Sequence, residues 1–195
     1  MDDLARLDLE IQQLIDRGLD HVADDAFNDR ALREFALQYK KVEAYREYCN
    51  GKQATPEFVR DWRDIPAVPS AAFKSHALAS FPLEKAVHSN ITSGTTGRKN
   101  RGKVFRDQGA LELILKANSM FTRHYLFPDC ERMKILLMVP SPKMAPSMGM
   151  AIGLEQVRKI FGTRDSAFLV SPLGLDITAL LGLSSMLKPV ASLWL

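Results

Sequence analysis

Several things are scarce in this sequence, and each scarcity excludes a class of protein. There are two cysteines, Cys49 and Cys130, far apart and at no metal-ligand spacing. A disulfide scaffold and a zinc module are therefore both excluded, and a reduced, cytoplasmic setting is expected. No apolar run reaches the roughly 20 residues of a membrane-spanning helix. The nearest, Ile177 to Leu187, is bounded by Asp176 and Lys188-Pro189. The chain opens Met-Asp-Asp-Leu without a basic or apolar leader, so no secretion signal is expected. Charge of one sign is lacking too: 26 Lys and Arg against 23 Asp and Glu leave +3. With aromatics at 8% and no basic stripe interleaved with them, a nucleic-acid partner is not expected. Repeats and low-complexity segments are absent. What remains is an ordinary composition, 46% hydrophobic over 195 residues, enough for one medium domain or part of a larger one.

Against that background one stretch stands out. Thr92-Ser93-Gly94-Thr95-Thr96-Gly97 packs two glycines and four hydroxyls into six residues. Five cations follow closely: Arg98, Lys99, Arg101, Lys103 and Arg106. Glycine lets a backbone turn sharply and approach a ligand. Successive exposed N–H groups form a concave anion nest. Hydroxyls add donors, and Lys or Arg adds charge-assisted bonds. These are parts for holding a polyphosphate; the plainer alternative is a polar hairpin loop with solvated charges.

The surrounding pattern places the loop. Leu4, Leu7, Ile11, Leu14 and Ile15 predict a helix over 3–17, stopped at Gly18. A second helix is predicted over 25–49, its apolar stripe running from Phe27 through Phe35 and Val42 to Tyr45 and its end marked by Asn50-Gly51. Cys49 at that end reads as structural rather than nucleophilic. Asp64-Ile65-Pro66-Ala67-Val68-Pro69 is extended, because each proline disfavours helix at its predecessor. Phe73 beyond it reads as a core anchor, and Lys74 as a solvated lysine or an anion contact. A strand over 86–92 runs into the glycine loop and another follows at Lys103-Val104-Phe105. Asp107 then caps a helix over 108–126.

Lys134 to Val139 is apolar enough for a strand buried on both faces of a parallel sheet. A helix at 147–161 closed by Gly162, a strand at Ala167 to Val170 and a helix from Asp176 to about Leu187 complete a strand–helix alternation. The loop after Val139, at a strand's carboxyl end, is a candidate substrate wall or simply a connection whose methionines pack on the core. The expected fold is α/β: N-terminal helices followed by a mixed or parallel sheet flanked by helices, with a helical segment at 1–52 and an α/β part at 53–195.

Two phosphate loops compete. Gly97-Arg98-Lys99-Asn100-Arg101-Gly102-Lys103 satisfies G-x-x-x-x-G-K, but Val104 stands where the Walker motif needs Ser or Thr. That motif also needs a helix directly after the loop, where a strand is predicted here. Thr92 to Gly97 instead resembles the phosphate loop of acyl-adenylate-forming enzymes, which sits between two hairpin strands and wraps the β- and γ-phosphates of ATP. The usual continuation, Pro-Lys-Gly after one variable residue, is altered: Lys99 stands at the proline position and Asn100 at the lysine position. Lys99, Arg101 or Lys103 would have to supply the lysine's role. Together with Asp64 to Pro69, Phe73-Lys74 and Arg106-Asp107, the loop resembles the LuxE-type acyl-protein synthetases over roughly residues 30–180.

That resemblance implies ATP- and magnesium-dependent activation of a carboxylic acid, typically fatty, to an acyl-adenylate. The acyl group then passes to a protein cysteine thiol, in company with reductase and transferase partners, as in the complex that makes aldehyde for bacterial luciferase. It implies Thr92, Ser93, Gly94, Thr95, Thr96, Gly97, Arg98, Lys99 and Lys103 as nucleotide-binding residues. The carboxylate is itself the nucleophile, so no general base is required. No catalytic side chain is singled out; His76, His88 and His124 read as ordinary core or surface histidines. Family members are about twice as long, so the chain resembles an N-terminal portion, with the acyl-accepting cysteine outside it and acyl transfer not expected from these residues alone. An acid:coenzyme A ligase and a truncated nucleotide- or partner-binding protein are the alternatives.

Overall fold

The structure, a computed structural model, describes residues 3–19, 23–92 and 101–184. The chain divides into two compact units, 1–121 and 122–195.

The first unit begins with helix α1 (Asp3–Asp16), whose Leu7 is buried. Glu10 on its outer side accepts a 2.7 Å bond from Arg33 of α2 (Asp24–Lys41). Helix α2 starts with Asp24 and Asp25 and ends with Lys40 and Lys41, the charge order that complements a helix dipole. The single helix expected over 25–49 is in fact two. Val42 is extended (φ −108°, ψ 99°), and α3 (Glu43–Gly51) follows it. No Pro or Gly marks this break. A β-branched residue gives up little helix stability by leaving the helical region. The lost helical bonds are partly replaced: the Val42 N–H still reaches the Gln38 carbonyl, and the Arg46 guanidinium donates to the Lys40 carbonyl at 3.3 Å. The bend keeps Phe35, Val42, Tyr45 and Cys49 in one buried cluster with Val59. Phe35 meets the Tyr45 ring edge-on at 6.1 Å between centroids.

The end of α3 also differs from the expectation. Gly51 lies within the last turn, and the left-handed residue is Gln53 (φ 56°). Ala54 N–H bonds to the Cys49 carbonyl and Gln53 N–H to the Asn50 carbonyl, the Schellman pattern. The proline segment is extended as expected. Two tyrosine hydroxyls fasten it to α3: Tyr45 donates to the Pro66 carbonyl (2.9 Å) and Tyr48 to the Ala67 carbonyl (3.1 Å). A short helix, α4 (Ala72–Ser75), follows, with Phe73 half-buried and Lys74 exposed.

Strands β1 (His88–Ile91) and β2 (Lys103–Arg106) form an antiparallel hairpin, and α5 (Gln108–Tyr125) leaves it directly. Asp107 caps α5 as expected, its Oδ1 accepting from the Ala110 N–H at 2.9 Å.

In the second unit β3 (Leu136–Leu137) and β4 (Ala167–Phe168) pair in parallel, connected through α6 (Gly149–Phe161). The strand–helix–strand order is as predicted, but the strands are shorter. Only two residues of the 134–139 run are strand, and Met138 is 61% exposed, so the run is not buried on both faces. With one neighbouring strand among the described residues, half of the run has no sheet to cover it. The expected strand at Ala167 to Val170 splits at the buried Leu169, which separates β4 from β5 (Val170–Ser171), and β5 turns back onto β6 (Gly174–Leu175). Helix α7 (Ile177–Ser184) starts at Asp176, whose Oδ1 accepts from the Ala179 N–H. Its predicted extension to Leu187 lies outside the described residues.

Gly162 closes α6 for a packing reason. A Cβ there would sit 2.3 Å from the Arg158 carbonyl oxygen and 2.9 Å from Ser166 Oγ. Ser166, buried, accepts from the Ile135 N–H at 3.0 Å and so joins β3 to the turn before β4. The loop after Val139 forms turns in which Met144 is exposed and Met148 half-buried. No described helix is long and apolar enough to cross a membrane.

Candidate functional site

The site is built on the β1–β2 hairpin of the first unit. His88 pairs with Arg106, Ser89 with Phe105, Asn90 with Val104 and Ile91 with Lys103. The ladder continues past both ends. Val87 N–H donates to the Arg106 carbonyl, and Thr92 N–H to the Gly102 carbonyl at 3.0 Å. At the loop's mouth Thr92 Oγ1 also accepts from the Gly102 N–H at 2.9 Å. Thr92 thus closes the ladder and uses its hydroxyl oxygen to hold the returning chain.

Gly102 is buried at this closure. A Cβ on it would meet Thr92 Cγ2 at 3.3 Å and Phe73 Cβ at 3.5 Å. The Thr92 and Phe73 side chains crowd this point, so any larger residue would push Thr92 aside by a few tenths of an ångström, and glycine fits without that shift. Phe73, read from the sequence as a core anchor, wedges α4 against the base of the loop. In the sequence Gly102 stands out only as part of the Walker-like spacing. Its proper role depends on long-range packing that no local spacing announces.

Of the residues assigned to nucleotide binding, Thr92 directly follows β1 and Lys103 opens β2, opposite Ile91 and exposed. Arg101, also exposed, lies one residue before the buried Gly102. Ser93, Gly94, Thr95, Thr96, Gly97, Arg98 and Lys99, together with Asn100, lie outside the described residues. Two cations therefore flank the exit of the glycine-rich loop in water, where an anion is able to reach them. The loop runs from strand to strand, and Lys103 begins β2 rather than a helix, so the Walker arrangement is ruled out.

Histidines near the hairpin are engaged structurally. His88 Nε2 lies 2.5 Å from Asn90 Oδ1 on the same strand face, and His76 Nδ1 lies 2.9 Å from Ser75 Oγ. His124, in the second unit, stacks edge-on with Tyr125. Among the described residues no group of three or more His, Cys, Asp or Glu could hold a metal ion.

An acidic group lies at the start of α5. Asp8 of α1 approaches Gly109: a Cβ on that glycine would be 3.6 Å from Asp8 Oδ2. Burial first, then the charges of Asp107 and Glu34, push the Asp8 carboxyl above its ordinary pKa. Cys49 is fully buried; desolvation raises its thiol pKa, against a lowering by the Tyr45 hydrogen bond. A buried thiol of this kind is a poor nucleophile.

The arrangement defines a mixed α/β protein whose first unit carries a strand–loop–strand hairpin. The profile of the family described as acyl-protein synthetase, LuxE, matches residues 19–173, and the chain belongs to that family. The match takes in α2, α3, the proline segment, the hairpin and the β3–α6–β4 unit. Searches of curated proteins and of solved structures returned no match.

Proposed function

We propose that the chain takes part in ATP-dependent activation of a carboxylic acid, typically a fatty acid, to an acyl-adenylate, with onward transfer of the acyl group to a protein cysteine thiol. The observation that carries this reading is the hairpin itself, joined by a loop of two glycines, four hydroxyls and a following run of cations, in a chain of the LuxE family.

The described residues fit such a ligand. The Thr92–Gly102 closure fixes the two ends of the loop, which lowers the entropy lost when the loop orders around phosphates. The Thr92 hydroxyl accepts from Gly102 and keeps its own O–H as a donor. Lys103 and Arg101 add positive charge at the loop's exit, with Lys99 and Arg98 from the loop. ATP with Mg2+, when bound, would supply the adenylyl group taken up by the substrate carboxylate, with pyrophosphate as the leaving group. Loop amides and cations placed where charge gathers on that leaving group stabilise the transition state electrostatically. The substrate carboxylate is the nucleophile, so the engaged histidines are no obstacle. In this reading residues 1–52 are the helical segment and 53–195 the α/β part of an adenylate-forming domain. The setting is the cytoplasm, and reductase and acyl-transferase proteins are its partners.

Cys49, buried and with a raised pKa, is not the acyl acceptor. These 195 residues alone are expected to hold nucleotide without completing acyl transfer. The test is exchange of labelled pyrophosphate into ATP by the enzyme expressed from its native gene. Exchange that depends on both a fatty acid and Mg2+ supports the reading, and exchange absent with every acid overturns it. Labelled acid offered with protein thiol or with coenzyme A then separates the proposed ligase from an acid:coenzyme A ligase.

A further inference from the structure

The first unit holds a groove of about 370 Å3 between α2, α3 and the proline segment. Its walls include Ala31, Phe35, Val42, Val68, Phe73 and Leu78. Volumes of this size are at the lower end for small-molecule sites, which run from about 300 to 1,000 Å3. Phe35 and Val42 are buried members of the core cluster, so this wall is preformed. The proline segment opposite is held by the Tyr45 and Tyr48 hydroxyls.

Two observations identify the occupant. The first is charge. Among the described lining residues the one charged group is the carboxylate of Glu34, which accepts a 2.7 Å bond from the Gln38 amide. An anionic head is repelled there and finds no cation, whereas a hydrocarbon chain meets a lining that is almost wholly apolar. The second is position. Phe73 is both a wall of the groove and the side chain packed against Gly102 at the base of the phosphate hairpin. The groove and the hairpin therefore share a residue.

We propose that this groove seats the aliphatic chain of the acid to be activated, its carboxylate lying outside the groove, with Phe73 joining the two parts of the site. The assignment rests on the acyl-activation reading above and adds to it the element that measures chain length. Phe73 acts here as a positioning residue: it forms one wall of the chain site and fixes the hairpin base against it.

The experiment is direct binding of saturated acids from hexanoate to palmitate, by equilibrium dialysis, to the full chain and to Ala31→Trp and Leu78→Trp. Each methylene buried should tighten binding about fourfold until the groove is filled. In both variants the tightening is expected to stop at a shorter acid, while ATP affinity stays unchanged. A chain-length profile identical to wild type in a folded variant overturns the proposal. If a variant unfolds, as judged by its thermal midpoint, Val68→Ala is read instead; its enlarged groove should shift the limit to longer acids, and an unshifted limit overturns the proposal. A dimer broken by the tryptophans, with the acid profile unmoved, would assign the groove to a second copy and also overturn it. Chain-length-dependent binding without any pyrophosphate exchange would sink the acyl-activation reading and leave the groove assignment standing.

Discussion

At the scale of single residues the chain carries two local costs. Gln53 occupies a left-handed conformation in the Schellman turn after α3. A side chain there costs about 1–2 kcal/mol that glycine avoids. Gln53→Gly is therefore expected to raise the unfolding free energy by about 1 kcal/mol, read by urea denaturation; no gain would mean that the turn is held differently. The other cost is Asp8. Its carboxyl has a folded pKa raised by burial and by the charges of Asp107 and Glu34. The folded state thus binds this proton more readily than the unfolded chain. The sign follows: the ionised form at neutral pH is a penalty, relieved as pH falls through the raised value. Asp8→Asn should stabilise the protein at pH 7 by about 0.2–0.5 kcal/mol, the size of a screened like-charge contact. The gain should vanish below about pH 4, where both chains are neutral at this position. A gain that persists in acid would exclude the electrostatic cause.

At the scale of elements, what was legible in the sequence is what local chemistry dictates. The cap at Asp107, the helix start at Asp176, the extended proline segment and the strand–loop–strand order follow from side chains acting on their own backbone. What was not legible depends on distant partners. The break at Val42 has no Pro or Gly signal and follows from packing around Phe35 and Tyr45. The apolar run at 134–139 predicts a long buried strand, but strand length is set by how many neighbours pair with it, and here one does among the described residues. The candidate site divides the same way. Its glycines, hydroxyls and cations were visible, whereas the contact of Phe73 with Gly102 bridges residues that no periodicity links. The hairpin's closure gives its own prediction. Thr92→Val keeps the shape and removes the acceptor of the Gly102 N–H, which should cost about 1–3 kcal/mol as that donor is left unpaired at a buried residue. Amide exchange at Gly102 should accelerate accordingly. Unchanged protection would show that Thr92 does not close the loop.

At the scale of the whole molecule the proposed function rests on the loop between β1 and β2 as the holder of the nucleotide's phosphates. Membership of the LuxE family, the hairpin topology and the composition of the loop all support it. The choice of thiol acceptor depends on it, since no acyl transfer follows without an activated acid. The most direct test is calorimetric titration of Mg-ATP into the protein and into the triple variant Thr95→Ala, Thr96→Ala, Lys99→Ala. Each charge-assisted hydrogen bond lost is worth about 1.5–3 kcal/mol. Binding at least about tenfold weaker in the variant is therefore the expected result. Equal affinity in the two proteins, with the variant folded, would remove the loop from the nucleotide site and contradict the account.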